Sequence, residues 1–171
     1  PIKKIGDALG DRKAALHALE QALLAGKIAA YAQGFAVMAR ASEVWNWNLP
    51  LGTIAKIWRA GCIIRSVFLD DIARAYASGG PIANLMFAVP FVDSLKETEG
   101  ALRKVVAAAS LKGIAVPALA SALAYFDMSS TPRTTANLIQ GQRDFFGAHG
   151  FERTDTAGKD LHGPWSMPPK G

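Results

Sequence analysis

A chain of 171 residues, half of them apolar, can bury one substantial core, about 70% of the surface its unfolded form exposes. A formal charge of +5 permits anionic partners, but the 19 Lys and Arg residues are spread along the chain, not bunched into a block of five or more, which disfavours a nucleic-acid tail. The lone Cys62 excludes an internal disulfide and a thiol-rich metal site, Pro1-Ile2-Lys3-Lys4 lacks a secretory apolar core, and charges such as Arg40, Arg59, Arg65, Asp70 and Asp71 leave no uninterrupted run of about 20 apolar residues, so a cytoplasmic protein with no metal and no membrane segment is expected.

Asp11 is suited to cap a helix, and Leu16, Leu19, Leu23, Leu24, Ile28, Tyr31, Phe35 and Met38 then step by three and four as one helical face, to about Trp45. Asn46, Asn48 and Pro50 supply turn chemistry. A second helical stretch runs from Thr53 through Ile57, Trp58, Ile64, Phe68 and Ile72 to Tyr76, with Gly61 placed to divide it. Ser78-Gly79-Gly80-Pro81 is a stop, residues 82–87 have room for one or two turns, and a longer helix follows from about Pro90 to Leu111, ended by Gly113. Pro117 suits the first turn of the next helix, through Leu119, Leu123 and Phe126, which Thr131-Pro132 closes. A last helix spans about Thr135 to Phe146, with Gly147 as its stop.

The fold class is therefore all-α: a multi-helix domain over residues 1–147 and an extended tail over 148–171, in which Asp155-Thr156-Ala157-Gly158 is the candidate turn of a small β-hairpin. Some 20 residues are too few to bury Phe151, Leu161 and Trp165 among themselves, so the tail is expected to lie on another surface, its own domain's or a partner's.

No strand followed by G-x-G-x-x-G is present, so a dinucleotide-binding turn is missing, as are G-x-S-x-G, H-E-x-x-H and any clustering of His17, His149 and His162. A self-contained hydrolase or metal enzyme is therefore not expected. Gly26 and Gly34 read as sites of close helix packing around Lys27, and Trp45, Trp47 and Trp58 as core, leaving Trp165 outside that argument. Arg59 and Arg65 fit ion pairs within the helical body, and Cys62 an inert small hydrophobe. The anion-binding candidates are Arg143 and His149, six positions apart where the last helix meets the tail. An arginine fork can clasp a phosphate and an imidazole can add a donor. Equally, Arg143 can pair with Asp144 or Glu152 while His149 caps the helix end, and the residues alone leave both readings open.

Three segments in order, G-K-I-A-A-Y-A-Q-G-F from Gly26, I-A-K-I-W-R-A-G-C-I-I-R-S from Ile54 and A-N-L-I-Q-G-Q-R-D-F-F-G-A-H from Ala136, make the chain from about Ala14 to Trp165 resemble the C-terminal helical domain of the long, NADP-dependent form of decarboxylating 6-phosphogluconate dehydrogenase. The last is the most specific. The resemblance departs slightly at Gly141, Phe146, Gly150 and Pro168-Pro169, and is weaker over 128–135. It implies a dimerisation domain, N-terminally truncated here, within a homodimeric enzyme that converts 6-phosphogluconate to ribulose 5-phosphate and CO2 in the pentose phosphate pathway. It also implies that NADP is held mainly by a missing N-terminal Rossmann domain, that the tail is exchanged between subunits, and that Arg143 and His149 bind substrate across the dimer, the arginine chiefly at its phosphate. The general base and acid then lie outside this chain, which is expected to be inactive alone. The rival from another class is a free-standing basic helical module that binds nucleic acid or a protein through Trp165 and the tail.

Overall fold

The computed structural model describes residues 8–59, 63, 66, 68–78 and 82–165, and within them six α-helices and no strand. These are α1 (Arg12–Trp45), α2 (Leu51–Trp58), α3 (Phe68–Ala77), α4 (Phe91–Leu111), α5 (Pro117–Ser130) and α6 (Ala136–Gly147), with a 3-10 turn at Leu85–Phe87. Two compact units divide at Asp127 and Met128. Gly61, Cys62, Arg65 and Gly79-Gly80-Pro81 lie outside the described residues.

In the first unit α1 starts as expected, the Asp11 carboxylate accepting the Ala14 N–H at 2.8 Å. It ends at Asn46, whose φ of 54° suits asparagine in the left-handed region and whose N–H reaches the Ser42 carbonyl. The face it buries differs from the leucine series. Ala22, Ala25, Gly26, Ala29 and Ala32 go inside with Ile28 and Phe35, whereas Leu16, Leu19 and Leu23 are exposed. Small side chains let a neighbouring backbone come close, and α1 packs chiefly against α4, which contributes Phe91, Leu95, Leu102, Val105 and Ala109 at helical spacing.

By length and composition α1 is long and apolar enough to cross a membrane, which amends the expectation drawn from interrupting charges. Its small-residue face is nevertheless part of the protein core. Lys27 sits on this helix with its ammonium 2.6 Å from the Ser66 hydroxyl and over the Phe68 ring.

Helices α2 and α3 pair with each other, Ala55 being buried from one side and Leu69, Ile72 and Ala73 from the other. Arg59 donates to Asp70 across this pair at 2.8 Å, the ion pair expected of it. Phe35 joins both helices to α1, its ring centroid 5.6 Å from Trp58 and 5.7 Å from Tyr76, and burial pushes the Tyr76 phenol up. Trp45 and Trp47, in contrast, are more than half exposed and pack tilted against each other with ring centroids 4.8 Å apart, so neither is core. Between α4 and α5, Arg103 forks onto Asp127 and reaches Glu99 while lying over Phe126, and these carboxylates raise its pKa.

The glycines of α1 separate in the same way. A methyl on Gly26 would stand 2.9 Å from Leu119 Cδ2, the close packing expected, but nothing lies within 4 Å of the same position on exposed Gly34. Gly34→Ala is therefore expected to stabilise the folded chain by about 0.5–1 kcal/mol through helix propensity, and Phe35→Ala to destabilise it by about 3–5 kcal/mol. Urea denaturation measures both. A loss of stability in the Gly34 variant would mean that this face is covered in solution.

Candidate functional site

The second unit holds α6 and the tail. Helix α6 is short and exposes Leu138, Ile139, Phe145 and Phe146, while its buried residue is an acid, Asp144, 1% exposed in the last turn. Both circumstances oppose an acid there. The carbonyl end of a helix disfavours negative charge by about 0.3–1 kcal/mol, and burial of a carboxylate without partners costs several kcal/mol. Asp144 is retained in that place by donors from the tail.

Its Oδ1 accepts the Gly150 N–H at 2.9 Å and lies 2.7 Å from His162 Nδ1. Its Oδ2 accepts the Gly163 N–H at 2.8 Å and the Trp165 indole N–H at 3.0 Å. Each bond to a charged acceptor contributes about 1.5–3 kcal/mol. An ionised carboxylate can only accept, so the His162 tautomer that suits this contact carries its hydrogen on Nδ1.

Two glycines permit this closure. Gly150, at φ 71°, comes so near the returning limb that a Cβ would meet Asp160 Cα at 2.9 Å, and a Cβ on Gly163 would strike the Trp165 ring. The returning limb is fixed by Phe151 and Leu161, which exchange both backbone hydrogen bonds, at 2.9 and 3.0 Å. This is one isolated antiparallel bridge, the structural remnant of the hairpin expected in the tail.

Arg143 and His149 flank this buried node and both are exposed. The Arg143 guanidinium donates to the neutral Gln140 amide at 3.2 Å. The pairing with Asp144 left open by the sequence does not occur, because Asp144 faces the tail, and Glu152 makes no ion pair with Arg143 either. His149 does not cap α6. The cap is Ala148, in the left-handed region at φ 48°, whose N–H reaches the Asp144 carbonyl at 2.8 Å, so the helix continues through Gly147 instead of stopping there. The His149 ring instead lies over Gly147, where a methyl would stand 2.7 Å from Nε2.

A groove of about 1010 Å³ in this unit runs between α6 and the tail and is lined by Arg133, Asn137, Gln140, Arg153, Lys159 and Trp165 among others. Arg143 and His149 do not line it. It holds both signs of charge, since Glu152, Asp155 and Asp160 also face it. Among the described residues no cluster of His, Cys, Asp and Glu has the makings of a metal site.

At the tip of the tail loop, Arg153 grips the Asp155 carboxylate through Nε at 2.8 Å and Nη2 at 2.5 Å, and these bonds hold the Asp155 carboxyl down to about 2 from its usual 3.8. A depressed carboxyl stabilises the fold above its unfolded pKa, so this small, solvent-screened contribution is lost only as the pH falls from about 4 through about 2. An NMR titration is expected to place the Asp155 midpoint near 2, and Arg153→Gln to return it toward the ordinary range.

Residues 3–165 match the family described as 6-phosphogluconate dehydrogenase, C-terminal domain. The chain is 48% identical over 149 residues, 87% of its length, to the decarboxylating 6-phosphogluconate dehydrogenase of Lactococcus lactis subsp. lactis, and spans 32% of that protein. It is 47% identical over 156 residues to an NAD(+)-dependent decarboxylating enzyme of Bacillus subtilis, covering 91% of this chain and 33% of the relative. Its fold is similar to that of Plasmodium falciparum 6-phosphogluconate dehydrogenase, solved in apo form, with its cofactor NADP+ and with its substrate 6-phosphogluconate, at a TM-score of 0.81 and 41% identity, covering 96% of this chain and 34% of that one. The chain thus spans about a third of the length of the relatives it matches. Matched from end to end of its described helices, it belongs to the 6-phosphogluconate dehydrogenase family, through that family's C-terminal domain.

Proposed function

We propose that this chain is the C-terminal part of an enzyme that oxidises 6-phosphogluconate at carbon 3 and releases CO2 and ribulose 5-phosphate, with Arg143 and His149 serving the substrate in the opposite subunit of a homodimer. The observation that carries this reading is the state of Arg143: an exposed guanidinium at the end of α6 whose hydrogen-bond partner is a neutral amide, so its charge is available to a phosphate. His149, exposed six residues on, supplies a second donor.

The coenzyme accepts hydride from the substrate, and relatives described as NAD(+)-dependent and as NADP(+)-dependent are each 47% identical to this chain. We assign NADP to a preceding coenzyme domain, together with the proton-transfer groups, and a cytoplasmic setting to the whole. Residues 1–147 then act as the helical body and 148–171 as the exchanged tail. Exposed Leu16, Leu23, Leu138 and Phe146 are apolar enough to seek cover in such an assembly. The chain's own contribution is binding and orientation, which fix a near-attack geometry.

In the full-length enzyme, Arg143→Ala is expected to raise KM for 6-phosphogluconate at least tenfold, the loss of a charge-assisted pair, with coenzyme KM changed less than twofold. Steady-state kinetics at saturating coenzyme measures this, and an unaltered substrate KM would refute the assignment. Steep, salt-sensitive binding of DNA or RNA by the isolated chain would instead favour a nucleic-acid module.

A further inference from the structure

We infer that Asp144 is a positioning residue for the substrate site: it holds His149, and with it the spacing of the Arg143–His149 pair, by clamping the backbone on both sides of the histidine. The inference rests on the functional reading of those two residues but adds to it a third, buried one. His149 stands between Ala148 and Gly150, both in the left-handed region, at φ 48° and 71°. The N–H of Ala148 donates to the Asp144 carbonyl at 2.8 Å and the N–H of Gly150 to the Asp144 carboxylate at 2.9 Å. One residue therefore receives the N–H groups of both neighbours of His149, fixing the Gly147–Ala148 and His149–Gly150 peptide units that bracket the imidazole.

The carboxylate also receives the returning limb, through His162, Gly163 and Trp165, so the clamp is completed when the tail folds back. Arg143 precedes Asp144 directly, just before the last turn of α6, and its guanidinium is held by Gln140 on the same helix. The separation of the two substrate donors is thus determined by how firmly Asp144 holds residue 150. An amide in its place keeps the volume but turns an NH2 group toward donors, whichever way it is flipped.

The test is a double-mutant cycle in the full-length enzyme with Asp144→Asn and His149→Ala, read as KM for 6-phosphogluconate, kcat and coenzyme KM. Asp144→Asn is expected to raise substrate KM about tenfold with coenzyme KM within twofold, and to add less than twofold once His149 is alanine. A fully multiplicative effect on the His149→Ala background, or no change in substrate KM, overturns the positioning role. If His149→Ala itself leaves KM unchanged, it is the functional reading that fails, and the two failures are thereby told apart. Trp165→Phe, which keeps an aromatic ring and removes one donor to the carboxylate, covers the case in which Asp144→Asn does not fold. A twofold to fivefold rise in substrate KM that vanishes beside His149→Ala supports the clamp, and a rise that persists there contradicts it.

Discussion

The conformation of the C-terminal unit depends on a single buried carboxylate. Asp144 occupies a place where helix electrostatics and desolvation both disfavour an acid, and it is stable there because two backbone amides, an indole and an imidazole from the tail converge on it. The dependence is mutual. Without those donors the acid would be an uncompensated charge, and without the acid a tail whose Phe151, Leu161 and Trp165 stay partly exposed would have little to hold it. This is how some 20 residues lacking a core of their own obtain a defined path.

Local signals in the sequence carried the helices well. The Asp11 cap, the asparagines after Trp45, Pro117 at a first turn and Gly113 after Leu111 are each effects of one or two residues, and the structure has all of them. Which face of α1 is buried was less legible. Leucines at regular spacing suggested the core face, but the close approach of α4 selects alanine and glycine, and Leu16 and Leu23 are left outside. Gly26 and Gly34 look alike in the chain, and only the position of Leu119 separates them. The paired, exposed Trp45 and Trp47 likewise depend on surroundings that periodicity does not contain.

The site was legible in its outward residues and hidden in its support. Arg143 and His149 are named by motif, and their exposure agrees with a binding role without testing it. Asp144, adjacent to Arg143, reads from sequence as its local ion-pair partner. Three of its partners, His162, Gly163 and Trp165, stand 18 to 21 positions away, a separation that no helical or strand period connects. A signal existed: an acid in the last turn of a helix, where a base is preferred, followed by a glycine-rich segment with His and Trp. The left-handed cap at Ala148 had none, because alanine does not announce that conformation and neighbouring Gly147 does.

The chain is therefore a member of a dehydrogenase family whose own residues supply packing and charge, while its proposed share of catalysis is that Arg143 and the tail work in another subunit. Subunit mixing tests that claim most directly. Heterodimers are formed from one subunit with Arg143→Ala and one whose coenzyme-binding part is disabled, and assayed at substrate far below the KM of the Arg143 variant. Donation between subunits predicts recovery of about half the wild-type activity, because one site then combines an intact coenzyme part with an intact arginine. Activity no higher than that of the two parents would show that Arg143 serves its own subunit, and would contradict the account.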